Sequence, residues 1–182
     1  LGAYGDGGAI YTNNDELANT LKMVANHGQP KKYEHDLVGC NSRLDTLQAA
    51  ILSVKLRHLD HYCNARRAVA DVYDAAFANH PKIETPYRAS YSHHVYHQYN
   101  LILKDVNRNE IKDKLQAAGI PTMIYYPIPA HKQNVFKLLN LPTYQLETTD
   151  WLTDRVLALP IHTEMDQETQ HYIIETLLSL LK

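Results

Sequence analysis

The spacing of apolar side chains changes several times along this chain, and each change predicts a different element. Residues 8–12, GAIYT, are short, partly β-branched and followed by NND, which predicts a strand running into a helix cap. From Asp15 onward Leu17, Leu21 and Val24 recur at helical spacing, and Asn26-His27-Gly28 ends that run with a glycine stop. Residues 29–43, QPKKYEHDLVGCNSR, hold no clean period and predict a loop long enough to reach another surface. Residues 45–77 carry the longest helical pattern. Leu47, Ala50, Ile51, Val54, Leu56 and Leu59 form a broad apolar stripe, which pauses over polar residues 60–64 and resumes at Ala65, Val69, Tyr73 and Phe77. A helix or helix pair of that length in a chain this small joins two bodies, so a boundary is expected near residues 60–80.

Beyond Pro81 the predicted elements alternate. Residues 96–103 read as a strand, 109–118 as an amphipathic helix closed by Gly119, and 121–125 as a second strand. Residues 131–139 and 146–154 look helical, and 156–159 form a short apolar strand ending at Pro160. The last helix starts near Asp166, with Tyr172, Ile173, Leu177, Leu178 and Leu181 expected to face inward. Strands separated by helices at this spacing predict an α/β fold in which helices cover a small sheet.

Composition narrows the function classes. The 182 residues include 45% hydrophobic and 21% charged side chains, a globular mixture large enough to bury a core. Eighteen Lys and Arg against twenty Asp and Glu leave a net charge of -2, which argues against a nucleic-acid surface. Cys40 and Cys63 form no close-spaced motif, imply no disulfide framework and suit a reducing cytoplasm. There is no apolar run of about 18 residues, so neither a membrane nor an export reading is supported.

Candidate chemistry is concentrated in four stretches. Gly2, Gly5, Gly7 and Gly8 crowd the start of the chain, yet GAYGDGGA is neither a dinucleotide fingerprint nor a phosphate loop. Asp6 there is either a solvated turn residue or a partner for a charged ligand. Asn41-Ser42-Arg43 precedes the long helix, where Ser42 can cap and Asp45 complete an approximate capping box. Asn41 and Arg43 are then left as surface residues or as an anion site, because a guanidinium fork beside free backbone N–H groups holds phosphate or carboxylate. His93, His94 and His97 lie in HHVYHQY without the spacing of a zinc site, and no metal is expected. The stretch IYYPIPAHKQ, residues 124–133, stiffens a loop with Pro127 and Pro129 and presents Tyr125, Tyr126 and His131. No nucleophile, base and orienting group can be assembled from spacing, so no catalytic residue is assigned.

The stretches LGAYGDGGAIYTNN, ANHGQ, VGCNSRLDTLQAAILSVKL, GIPTMIYYPIPAHKQ and VLALPIH, in that order, resemble the C-terminal part of the DegT/DnrJ/EryC1/StrS family of pyridoxal-phosphate-dependent sugar aminotransferases. The resemblance covers nearly the whole chain. It implies a fold-type I architecture, with residues 1–70 as the end of a large cofactor-binding domain plus a linking helix and 71–182 as the small C-terminal α/β domain. It also implies that the lysine holding the cofactor as a Schiff base stands just upstream of the glycine-rich segment. None of Lys22, Lys31, Lys32 or Lys55 falls in that motif, so this chain by itself is expected to be inactive and not to retain pyridoxal phosphate.

In family dimers the loop ending in Asn-Ser-Arg crosses into the neighbouring active site. The resemblance therefore implies Asn41 at the cofactor phosphate and Arg43 at the nucleotide-sugar substrate or an external carboxylate, with Tyr126 on the substrate side. Many relatives have His-Tyr-Pro where this chain has Tyr125-Tyr126-Pro127, which puts any histidine role there in doubt. The implied reaction moves an amino group, usually from glutamate, to a keto group of a nucleotide-diphosphate sugar, in pathways such as lipopolysaccharide O-antigen formation. The alternatives are a sugar dehydratase of the same family, with histidine for the lysine, or a non-catalytic dimerisation module. A homodimer is the expected partner state, and a separate N-terminal chain would complete a naturally split enzyme.

Overall fold

The computed structural model describes residues 1–139 and 141–182, and the chain divides into two compact units, Leu1–Asp60 and His61–Lys182. The first unit holds α1 (Asp15–Ala25) and α2 (Thr46–Leu56). Asn14 caps α1 by accepting from the Leu17 N–H at 3.0 Å, and Asp15 and Glu16 sit in the first turn where the helix dipole favours them. The helix ends where His27 and Gly28 both take positive φ.

The expected strand at residues 8–12 does not form. A strand needs a neighbour for its backbone groups, and no described residue pairs with this segment. Ile10 is accordingly 77% exposed. Ser42 does not cap α2 either. Its N–H is already bonded to the Ala25 carbonyl at 2.9 Å, which holds it short of the helix, and Asp45 occupies the cap position without a side-chain bond. Neither α1 nor α2 buries a residue, so Leu17, Leu47, Val54 and Leu56 stay open to solvent.

The long helical pattern resolves into a pair: α2 stops at Leu56, Arg57 and His58 intervene, and α3 spans Leu59–Phe77. The second unit is built on a three-stranded antiparallel sheet in the order β1 (Ile83–Glu84), β2 (Tyr99–Leu103), β3 (Val156–Leu159). Tyr99, Leu101 and Leu103 alternate along β2 onto one face, and all three are fully buried. Against them lie Val69, Tyr73 and Phe77 of α3, Ile111 and Leu115 of α4 (Arg108–Ala117), and Ile173, Ile174 and Leu177 of α7 (Gln167–Leu180). Each fully buried leucine in this cluster contributes about 2 kcal/mol. Two short helices, α5 (Asn134–Leu138) and α6 (Glu147–Thr153), precede β3.

Several expectations shift by a few residues for identifiable reasons. Residues 96–98 do not extend β2, because Tyr96 takes φ 46 and turns the chain before pairing begins. Residues 121–125 make one isolated bridge, Met123 to Ala158, rather than a full strand. Tyr172 points outward, 51% exposed, because its hydroxyl donates to the Ala118 carbonyl at 2.9 Å.

Polar groups inside this unit are mostly spent on fixing segments. Gln170 donates to the Val69 carbonyl at 2.7 Å, and Arg108 to the Val156 carbonyl at 2.7 Å. Asp74 accepts from Tyr99 and pairs with Arg88 at 2.6 Å, which ties the chain after β1 to α3. Burial pushes the Tyr73 hydroxyl well above its ordinary range and keeps it a donor to the Pro160 carbonyl at 2.9 Å. Tyr73→Phe is expected to cost ~1 kcal/mol by leaving that carbonyl without its donor. Chemical denaturation checks it, and an unchanged midpoint would show that the bond contributes nothing net.

Candidate functional site

The 29–43 loop is fastened to the C-terminal end of α1 by backbone bonds. His27 N–H donates to the Cys40 carbonyl at 2.9 Å, Cys40 N–H to Val24 at 2.8 Å, and Ser42 N–H to Ala25 at 2.9 Å. Two glycines make this approach possible. A Cβ on Gly28 would lie 1.7 Å from the Leu37 carbonyl oxygen, and one on Gly39 would lie 2.2 Å from the Gly28 nitrogen. His35 adds a clasp, its Nδ1 lying 2.9 Å from the His27 carbonyl.

This fastening delivers Asn41 and Arg43 together. Arg43 Nε donates to Asn41 Oδ1 at 3.0 Å, so the Asn41 amide is held with its N–H2 as the unspent end. The terminal guanidinium nitrogens of Arg43 have no protein partner among the described residues. Both residues are exposed. The pair thus offers the Asn41 amide N–H2 and the Arg43 guanidinium as donors, a set that suits a phosphate or carboxylate.

Arg43 also borders a groove of about 900 Å³ within the first unit, lined by Asp6, Gly7 and Gly8, the 9–12 segment, Ala18, Leu21, Lys22 and Ala25 of α1, and Ser42 and Leu44. Lys22 and Arg43 bring two cations to this groove against the single carboxylate of Asp6. A Cβ on Gly8 would meet nothing within 4 Å, so close approach does not explain that glycine. Lys31 is instead paired with Glu34 at 2.7 Å, and Lys55 lies over the Tyr4 ring at 5.8 Å.

Tyr126 belongs to the other unit, 71% exposed, with its ring edge-on to Tyr125 at 5.9 Å. The loop beyond it is held by a 3-10 turn at Ala130–Lys132 and by Lys132, which pairs with Asp150 of α6 at 2.6 Å. Of the histidines of HHVYHQY, His94 takes a packing part. The carbonyls of His93 and His94 accept from Arg67, and the His94 ring packs on Tyr96. Among the described residues no three His, Cys, Asp or Glu side chains gather as a metal site, and no helix is long and apolar enough to cross a membrane. Sequence reasoning did not single out Gly28 and Gly39 as the residues that seat the Asn41 loop. Their separation by ten residues signals nothing until the two backbones are seen in contact.

Residues 1–178 match the DegT/DnrJ/EryC1/StrS aminotransferase family. The chain is 42% identical over 177 residues to a pleiotropic regulatory protein of Geobacillus stearothermophilus, with 96% of this chain and 47% of that protein covered. It is also 42% identical over 166 residues to the UDP-2-acetamido-2-deoxy-3-oxo-D-glucuronate aminotransferase of Pseudomonas aeruginosa, covering 91% of this chain and 45% of that one. Among solved structures, DesV of S. venezuelae in complex with a ketimine intermediate superposes with a TM-score of 0.92 at 34% identity, over 100% of this chain and 48% of DesV. The chain therefore spans about half the length of the proteins it matches.

Proposed function

Since this chain belongs to the DegT/DnrJ/EryC1/StrS aminotransferase family, we propose that it is the C-terminal part of a pyridoxal-phosphate-dependent enzyme that transfers an amino group, from glutamate, to a keto group of a nucleotide-diphosphate sugar. In this reading residues 1–70 end the large domain of a fold-type I aminotransferase and carry the linking helix, 71–182 form the small domain, and the enzyme works in the cytoplasm as a homodimer. The observation that carries it is the Asn41–Arg43 donor pair, seated by the backbone clasp between α1 and the 37–42 segment.

Pyridoxal phosphate, when bound, supplies an electron sink for the carbanion that amino-group transfer requires. This chain's own residues bind and orient. Asn41 offers its amide N–H2 to a phosphate oxygen of the cofactor in the neighbouring subunit. Arg43 offers a two-nitrogen fork to the sugar nucleotide's diphosphate or to the carboxylate of the amino donor. Tyr126 faces the sugar. No residue here is assigned as the proton carrier, and the 182 residues alone are expected to transfer nothing.

The denatured intact mass of the purified protein, with and without borohydride reduction, tests this reading. A mass well above 20.8 kDa that rises by one reduced pyridoxal phosphate supports it. A larger mass that binds the cofactor without a covalent adduct favours a dehydratase of the same family. A mass near 20.8 kDa with no adduct removes the single-chain enzyme and leaves a split enzyme with a separate N-terminal chain, or an interaction module. The module reading has its own support in the unburied faces of α1 and α2 and in the regulatory name of the Geobacillus relative.

A further inference from the structure

The loop that carries Tyr125 and Tyr126 is tied to the rest of the His61–Lys182 unit at its two ends. At the first, Met123 N–H donates to the Ala158 carbonyl of β3 at 3.2 Å and Ala158 N–H to the Met123 carbonyl at 2.8 Å. At the second, Asp150 of α6 faces the 3-10 turn, its Oδ1 lying 2.6 Å from Lys132 Nζ and 3.8 Å from His131 Nε2. Between these ties residues 125–130 make no hydrogen bond outside the loop among the described residues. Within it, Lys132 N–H donates to Pro129 at 2.9 Å, Gln133 N–H to Ala130 at 3.1 Å and Gln133 Nε2 to Ile128 at 3.3 Å, while Pro127 and Pro129 restrict the backbone. The stretch is stiff, so its placement is decided at its ends.

Asp150 gives the second end a fixed point. Helix α6 runs into β3 through Arg155, whose carbonyl accepts from the Leu103 N–H of β2 at 3.0 Å and whose Nη1 donates to the Trp151 carbonyl at 3.0 Å. The His131 side chain is only 11% exposed, and its Nε2 and Asp150 Oδ1 are both buried without a hydrogen bond, so Lys132 meets that oxygen as an ion pair only. A gap of 3.8 Å is about 1 Å longer than a hydrogen bond. Buried polar atoms left unpaired are costly, and closing this gap with Nε2 donating satisfies both at once. Both partners of the Asp150 carboxylate therefore come from the loop.

We propose that Asp150 is the positioning residue of this loop, setting through Lys132 and His131 where Tyr126 stands. The part given to Tyr126 rests on the proposed sugar-nucleotide reading, whereas the attachment itself does not.

Hydrogen exchange and steady-state kinetics on the full-length protein test it, in the wild type, Asp150→Asn, Lys132→Met, the double variant and Asp150→Glu. Exchange at the Lys132 and Gln133 amides should quicken about threefold to fivefold in the first three variants, the range of a partly exposed ion pair. The Asp150 and Arg155 amides, bonded within α6 to Leu146 and Leu152, should keep their protection. The double variant should be no looser than Asp150→Asn alone, because both substitutions remove one contact, and Asp150→Glu should restore the loop. The kinetic probe is UDP-2-acetamido-2-deoxy-3-oxo-D-glucuronate, the compound in the name of the Pseudomonas relative, with glutamate as donor. KM for this sugar should rise by the same factor in the loosened variants, and KM for glutamate should change less. Protection lost evenly across the unit, additive single effects, or a loosened loop with an unchanged sugar KM overturns the assignment. A wild type without turnover leaves the attachment to the exchange result alone, and the reduced-cofactor adduct then decides the aminotransferase reading separately.

Discussion

Gly28→Ala is expected to free the 36–43 segment from α1 while leaving the His61–Lys182 unit folded. Gly28 is buried, sits at φ +74, and has the Leu37 carbonyl oxygen 1.7 Å from where a Cβ would stand. A left-handed conformation costs a non-glycine residue about 1–2 kcal/mol, and the overlap with a backbone oxygen adds a term that no side-chain rotation relieves. We expect ~3 kcal/mol in total, lost locally. Hydrogen exchange reads it at the Cys40 and Ser42 amides, which donate to Val24 and Ala25, and protection there should fall about 100-fold. Gly119 supplies the control. It sits at φ +77 with nothing within 4 Å of its would-be Cβ, so Gly119→Ala pays only the conformational cost, about 1 kcal/mol. If the two alanines have equal effects, the close approach at Gly28 is not what holds the loop.

Arg43→Ala in the full-length enzyme should lower kcat/KM for the sugar nucleotide by about 10- to 100-fold, the range of one charge-assisted contact. Cofactor retention should change less. The Arg43 Nε bond to Asn41 at 3.0 Å orients the neighbouring amide but does not create it. Arg43→Lys should restore little, because an ammonium reproduces the charge without either the fork or the Nε contact. The measurement is a pair of readouts on the same preparations, steady-state kinetics and the visible absorbance of bound cofactor. Unchanged kinetics would remove Arg43 from the site, and a larger loss of absorbance than of kcat/KM would exchange the roles given to Arg43 and Asn41.

Elements whose stability is local were legible along the chain. Helix α1 came with its own signals, Asn14 and Asp15 at the start and Gly28 at the end, and α7 announced itself through the spacing of Ile173, Leu177 and Leu181. Strand β3 was readable from four apolar residues before a proline. It was legible although it depends on β2 as its partner, whereas elements whose partner is missing among the described residues were not. GAIYT has strand composition, but pairing needs a second strand, and none of the described residues supplies one. Ser42 has cap chemistry, but its amide was already committed to Ala25, and that bond decides where α2 can begin.

For the candidate site the same division holds, for the same physical reason. Residue type and order alone determined that Asn41 and Arg43 could bind an anion, that Tyr126 sits on a stiffened loop, and which family the chain resembles. Those properties belong to side chains and to short stretches of backbone. Only the tertiary structure decided that Arg43 spends its Nε on Asn41 and keeps its fork, that Gly28 and Gly39 let one backbone lie on another, and that Asp150 of α6 stands against His131 and Lys132. Each of these depends on distances between segments remote in sequence, and such distances are set when the backbone bonds and the core close, not by any residue's own preference.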